Sequence, residues 1–312
     1  MHKKPVISVL VLTFNHAQFI ESTLRSIVSQ GGRCCDLEVI IIDDGSTDNT
    51  VQKIRNFSEQ SKISINLVAK PHEGVASIAG NFLDLIKMAS GDYISFLAGD
   101  DQYTPNRFVQ QLECFNRDSN LVISYANGVN VVEGKVVAKL HNEEVENLLL
   151  SSDPVVAYDY VTSCIPAIFI QGILAKSTYL KKIQPFDRDL IADDWVFNIK
   201  VFDDLKSSKY NFNYLSLCVF KRNIHAENTS GNLLVHYRRI SQVANRYCEN
   251  RRAIISKRIC NLIISSVLQR KFYEFTFFLK ESFFYPKSMF FLAKCISCFI
   301  IRRSKKVFVV RS

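Results

Sequence analysis

The first 101 residues repeat one alternation four times: a short apolar run, a polar break, then a stretch with apolar residues three or four positions apart. Val6 to Leu12, Leu37 to Ile42, Ile63 to Val68 and Ile94 to Leu97 are the runs. Unbroken apolar character suits parallel strands covered on both faces. Between them, Ile20, Leu24, Ile27 and Val28, then Val51, Ile54 and Phe57, then Ile78, Phe82, Leu85 and Ile86 recur at helical spacing. Strand and helix in alternation imply an α/β chain with a doubly wound, mostly parallel sheet.

Such sheets bind ligands at the carboxyl ends of their strands, and here those ends are polar. Thr13 and Asn15 follow the first run, Asp43 and Asp44 the second, Asp100 and Asp101 the fourth. Adjacent carboxylates repel one another and are costly to bury without a cation, and hard divalent ions take oxygen ligands. A metal holding a diphosphate satisfies that demand. The alternative is a solvated turn capping the helix that Thr104-Pro105 starts. Asp44 can accept the imide N–H of a uracil or a ribose hydroxyl, with Asp101 facing the metal. The absence of a Walker lysine loop and of a G-x-G-x-x-G run argues against ATPase and dehydrogenase chemistry.

Charge divides the chain. The net charge is +9. Residues 232–312 hold 17 Lys or Arg against three Glu, a balance of +14 that leaves the first 231 residues at −5. A basic tail rich in Phe suits an anionic membrane surface better than nucleic acid. The nine cysteines lack paired metal spacing, and Cys295-x-x-Cys298 sits in an apolar run without a partner pair, which fits reduced thiols. Met1-His2-Lys3-Lys4 before Val6 imitates an export signal, but Asn15-His16 interrupts the apolar stretch and a first strand is the expected outcome.

Taken together, Val9-Leu10-Val11-Leu12-Thr13-Phe14-Asn15, Ile42-Asp43-Asp44-Gly45-Ser46-Thr47-Asp48 and Phe96-Leu97-Ala98-Gly99-Asp100-Asp101 resemble the family 2 glycosyltransferases, inverting enzymes of the GT-A fold. The resemblance runs from about residue 6 to 231. It implies a nucleotide-sugar donor, usually UDP-linked, bound with Mg²⁺ or Mn²⁺. It places Phe14 against the base, Asp44 on uracil, Asp100 near the ribose and Asp101 on the metal, with Thr13 and Asn15 in the same loop. Two departures stand out: Ala98 where many members have another Asp, and Ala79-Gly80-Asn81 where many have Ala-Arg-Asn. The second removes a cation from the base or phosphate site.

Further along, Arg107 to Phe115 reads as a helix, Leu121 to Tyr125 as a strand, and Asn127 to Leu140 as a hairpin turning at Gly134. Glu143 to Ser152 reads as a loop and short helix. Ile165 to Gly172 reads as a strand returning to the site, bringing Gln171 and Gly172 to the sugar or acceptor. Asp193-Asp194-Trp195 resembles the family's Glu-Asp motif at a helix start, with Asp194 as catalytic base and Asp193 and Trp195 on the acceptor side. Inverting transfer needs one carboxylate to take the acceptor hydroxyl's proton as that oxygen attacks the anomeric carbon. Arg222-Asn223-Ile224-His225 resembles the family's Arg-x-x-His segment, which implies Arg222 on the diphosphate and His225 on the metal or a phosphate oxygen.

These readings divide the chain into a catalytic domain, residues 1–231, and a basic aromatic helical tail, residues 232–312. In the tail Ile254, Ile255, Ile259, Leu262, Ile263 and Val267 alternate with Arg251, Arg252, Lys257 and Arg258, and no run reaches the ~20 apolar residues of a bilayer span. The expectation is a metal-dependent inverting transferase that is cytoplasmic, lying at the inner membrane face and acting on a glycan or polyprenyl-linked acceptor. Two alternatives stay open: a nucleotidyltransferase, and a catalytically silent partner of an active transferase.

Overall fold

The computed structural model describes residues 4–32, 34–191, 194–225 and 232–292. The chain forms two compact units, residues 1–161 with 166–226, and residues 162–165 with 227–312.

The first half of the larger unit runs β1 (Val6–Thr13), α1 (Ile20–Val28), β2 (Asp36–Asp43), α2 (Thr50–Gln60), β3 (Ser64–Ala69), α3 (Ile78–Met88) and β4 (Tyr93–Ala98). These strands are parallel in the order β3-β2-β1-β4. Ile7, Val9, Leu10 and Val11 on the central β1 are fully buried, each contributing roughly 1.5–3 kcal/mol relative to exposure. Thr13 stands level with Asp43, and Leu12 with Ala98. In-register pairing thus carries the polar residues after all three strands to one edge.

The second half closes the sheet with mixed strands. It contains β5 (Gln102–Tyr103), α4 (Arg107–Arg117), β6 (Leu121–Val132), β7 (Lys135–Lys139), α5 (Glu143–Leu150), α6 (Pro154–Ser163), β8 (Leu174–Lys176), α7 (Ser177–Ile183), α8 (Asp194–Leu205) and β9 (Asn211–Asn223). Beyond β4 the order continues β8-β6-β9-β5, with β7 folded back onto β6 as the expected hairpin. β8 is antiparallel to both its neighbours, while β9 is parallel to β6.

One local expectation is corrected. The segment 165–172 is not a strand: only 170–172 is regular, as a single 3-10 turn, and the strand begins at Leu174. Its backbone groups bond to side chains of α4 and α8 instead of a neighbouring strand. Asp48 Oδ1 accepts from the N–H and the hydroxyl of Thr50, while Ser46 bonds Asp43.

The smaller unit is helical, with α9 (Leu233–Tyr247), α10 (Arg251–Leu268) and α11 (Phe272–Phe284). Asn232 caps α9 by accepting from Val235 N at 3.1 Å. Along α10, Ile254, Ile255, Ile259, Leu262 and Ile263 are buried as their spacing predicts whereas Val267 in the last turn is exposed, and Tyr237 of α9 meets Phe277 and Phe278 of α11 edge to face. No helix among the described residues is long and apolar enough to cross a membrane. The described cysteines are free thiols; Cys295 and Cys298 lie outside the described residues.

Candidate active site

The loop after β2 is tied together by its first carboxylate. Asp43 accepts from Gly45 N, Ser46 N and Ser46 Oγ, and Ser46 Oγ accepts from Asn15 N, which sits at φ +54°. Asn15 Oδ1 in turn accepts from Thr47 N at 2.8 Å. Asn15 and Thr13 therefore shape the edge: Thr13 Oγ1 is 3.2 Å from His16 Nδ1, and its carbonyl accepts from Asp44 N.

Asp44, 6% exposed, is aimed by three side chains. Ser77 Oγ and Asn81 Nδ2 donate to Oδ1 at 2.8 and 2.9 Å, and His72 Nδ1 donates to Oδ2 at 3.0 Å. A carboxylate has about four acceptor positions, so one direction on Oδ2 stays available for a ligand. Phe14 stacks on the His72 ring at 4.0 Å and 9°, making a flat aromatic wall beside the acid. A cavity of ≈ 240 Å³ opens here, lined among others by Asp44, Lys70, Ser77, Asn81, Asp84 and Arg188.

At the tip of β4 the two acids face different partners. Asp100 Oδ2 lies 3.0 Å from His225 Nε2 and 3.8 Å from His16 Nε2. Phe19 stacks on His225 at 4.6 Å, holding its ring in place. Asp101 is 2% exposed; Oδ1 accepts from Asn223 N at 3.0 Å and Oδ2 from Gln171 Nε2 at 3.4 Å. Burial and the neighbouring Asp100 charge push the Asp101 carboxyl well above the usual range. Antiparallel pairing of Gln102 with Lys221 sets Asp101 against the β9 backbone, and Asp100 is the acid beside His225.

Asp194 begins α8, and its Oδ1 accepts from Ile170 N at 2.9 Å. The next residue on that turn, Gln171, is the one that reaches Asp101. The turn 170–172 therefore links the two acids through its hydrogen bonds. The turn is itself gripped from α4. Arg107 Nη1 donates to Gln171 O at 2.8 Å, Nη2 to Ile173 O at 2.9 Å, and Gln111 Nε2 to Gly172 O at 3.2 Å. Arg107 is 2% exposed, its guanidinium 4.1 Å over the Tyr103 ring, and burial lowers its pKa to about 10.

Three acceptor-side expectations are settled otherwise or fall outside. Trp195 is buried, with its indole N–H given to Val161 O at 2.7 Å, so it anchors α8 instead of meeting a sugar. A Cβ on Gly172 would lie 2.2 Å from Ala126 O, so this residue is packed against β6 backbone and faces no acceptor. Asp193 lies outside the described residues, as do residues 226–231 after His225. Arg222 stands 5.5 Å over the Phe169 ring, and its charge acts on Asp101.

Arg107, Gln111, His72, His16 and Arg188 went unread in the sequence. Each lies on a loop or buried helix face where periodicity carries no chemical information. His72 alone had a local signal, in the Pro71-His72-Glu73-Gly74 break directly after β3.

Among the described residues no cluster of three or more His, Cys, Asp or Glu is arranged to hold a metal ion. Fewer protein ligands suffice where a diphosphate and water complete the shell. Asp100 Oδ2 and His225 Nε2 at 3.0 Å match the spacing of adjacent ligands around a divalent ion, about 3 Å. Gln171 Oε1, buried beside Asp101, accepts no hydrogen bond. Two adjacent acids, a buried oxygen acceptor and an imidazole are a donor set that fits such an ion.

Residues 8–167 match the profile of Glycosyl transferase family 2. Over 143 residues the chain is 31% identical to chondroitin synthase of Pasteurella multocida, covering 46% of this chain and 14% of that one. An uncharacterized glycosyltransferase of Mycoplasma pneumoniae is 37% identical over 100 residues, 32% of this chain and 33% of its own. The matched stretch thus spans about a third of that relative. Among solved structures, Staphylococcus aureus TarS 1-349 in complex with UDP-GlcNAc superposes with a TM-score of 0.56 at 16% identity over 83% of this chain and 71% of that one. The mannosyltransferase PcManGT from Pyrobaculum calidifontis, in complex with GDP-Man and Mn²⁺, gives 0.58 at 15% identity over 96% and 87%. The architecture is that of GT-A transferases, and the chain belongs to glycosyl transferase family 2.

Proposed function

We propose that this protein is a metal-dependent inverting glycosyltransferase that moves a sugar from a nucleoside-diphosphate donor to a hydroxyl of a glycan or lipid-linked glycan acceptor. The observation that carries the reading is the turn 170–172, which bonds Asp194 through Ile170 N and Asp101 through Gln171. An acid suited to proton abstraction thereby stands beside an acid pair suited to a cation. The relatives named as a chondroitin synthase and as other glycosyltransferases favour a glycan acceptor and polysaccharide synthesis.

In this reading the base lies in the cavity at Asp44, next to the stacked Phe14 and His72 rings. Asp100 and His225 hold Mg²⁺ or Mn²⁺, and Arg222 adds positive charge toward the diphosphate. When bound, the cation neutralises the developing charge on the leaving diphosphate. Asp101, buried behind, fixes Asn223 and Gln171 and so holds the rim of the site. Asp194 takes the proton from the acceptor hydroxyl while that oxygen attacks the anomeric carbon from the face opposite the diphosphate, so the configuration inverts. Ile170 N, donating to Oδ1, orients the carboxylate.

The smaller unit suits a membrane-surface role at the cytoplasmic face. α11 buries Phe278 and leaves Phe272, Tyr273, Phe283 and Phe284 each about 70–80% exposed, with Lys280 on the same arc. An aromatic face with interspersed lysine favours an anionic headgroup layer. Sedimentation with phosphatidylglycerol vesicles, and release on changing the four aromatics to Ser, tests this part.

The activity is tested by incubating the full chain with UDP- and GDP-sugars and measuring nucleoside diphosphate release with Mn²⁺, with Mg²⁺ and with EDTA. Cation-dependent release supports the reading. No binding and no release with any donor overturns it.

A further inference from the structure

Gly80 sits on α3 in the lining of the cavity at Asp44, and the space beside it is not left uncharged. A Cβ placed on Gly80 would lie 3.2 Å from Arg188 Nη1, so a guanidinium from the loop between α7 and α8 covers the vacant position. That guanidinium is held: Arg188 Nη2 donates to Asp84 Oδ1 at 2.6 Å, while Lys70 Nζ donates to Asp84 Oδ2 at 2.6 Å and to Asn81 Oδ1 at 2.9 Å. Asn81 is also the residue that donates to Asp44. Arg188, Asp84, Lys70, Asn81 and Asp44 therefore form one bonded chain along the wall of one cavity, with a cation at one end and a carboxylate at the other.

We propose that Arg188 reads the nucleobase of the donor, taking a ring carbonyl next to the ring N–H that Asp44 accepts. This rests on reading the cavity as the base site. A guanidinium is a donor only and an ionised carboxylate an acceptor only. Together they match the carbonyl beside N–H of uracil or guanine. Cytosine and adenine present an amino group and a bare ring nitrogen there, which sets donor against donor at Arg188 and acceptor against acceptor at Asp44. Asp84 fixes the fork in place, so little side-chain freedom is lost on binding. The site thus selects keto bases through two residues more than 140 positions apart in the chain.

The test is calorimetric titration of the full chain with UDP, GDP, CDP and ADP in the presence of Mn²⁺. Wild type is expected to prefer UDP or GDP, and Arg188→Ala to bind the preferred nucleotide about tenfold more weakly with CDP and ADP unchanged. Adding Gly80→Arg to Arg188→Ala is expected to restore the preference, because the new side chain enters the space that Arg188 vacates. A uniform loss across all four nucleotides, or Arg188→Ala binding like wild type, overturns the assignment to Arg188 alone. Wild type that binds none of the four overturns the donor-site reading with it. A circular-dichroism melt of each variant separates loss of the base contact from loss of fold.

Discussion

His225 Nε2 lies 3.0 Å from Asp100 Oδ2, while Asp101 next in the chain points away from that histidine and onto the backbone of β9. Adjacent acids thus acquire different work from the same strand tip. Asp100 keeps an imidazole, and Asp101, the more deeply buried of the two, keeps the β9 backbone.

Asp100→Asn is expected to weaken Mn²⁺-dependent nucleotide binding about 100-fold, the loss of a charged ligand. Asp101→Asn is expected to lower it less, while lowering thermal stability by disturbing Asn223 and Gln171. Titrating Mn²⁺ at fixed UDP or GDP checks this, and equal losses in the two variants would restore Asp101 as the metal ligand.

Asp194→Asn keeps the side-chain shape but cannot take a proton. Turnover should fall roughly 10²–10⁴-fold with donor binding retained. Single-turnover transfer assays read the first quantity and calorimetry the second; transfer at the wild-type rate would remove Asp194 from its role as base.

Arg107 holds the carbonyls of Gln171 and Ile173 from the interior. Arg107→Met leaves both short of a donor in a buried place, each costing about 1–3 kcal/mol. Arg107→Lys keeps the charge but not the fork, so intermediate stability is expected. Because the same turn bonds Asp194, Arg107→Lys should lower kcat more than it raises the donor KM. Urea unfolding and steady-state kinetics on the two variants supply the comparison.

His141 is 3% exposed, its Nδ1 3.3 Å from the Tyr214 hydroxyl, and burial lowers its pKa to about 4. The unfolded chain takes up this proton near pH 6.5. Between roughly pH 6.5 and 4 the unfolded state therefore binds more protons than the folded one, and stability falls as pH drops. Above the unfolded value that contribution is complete. Replacing His141 with Phe should flatten the decline between pH 7 and 5 in denaturation curves, leaving the share of His16 and His236, which are shifted in the same direction.

Gly172→Ala drives a methyl to 2.2 Å from Ala126 O, a backbone atom that cannot rotate away. A loss of more than about 2 kcal/mol is expected, read as a drop in melting temperature, with transfer activity falling because the turn that holds Asp194 must shift.

Most of what holds the parallel half together was legible in the sequence. Continuous runs such as Val6 to Leu12 have one stable home, a strand covered on both faces, and the polar residues after them must gather at the edge where parallel strands end. That reasoning needs only the order of residues along the chain. It could not say which of Asp100 and Asp101 meets His225, because that depends on β5 pairing with β9 across more than 100 residues. Nor could it see that the segment before Leu174 is a turn held by Arg107 and Gln111, since a buried donor is recognised only by the carbonyls that surround it. Trp195 and Arg188 make the same point in opposite senses: the tertiary structure withdraws one into the core at Val161 and brings the other over Gly80. Local pattern determined the elements and their edge, and long-range hydrogen bonding between buried polar groups decided which side chains reach the site.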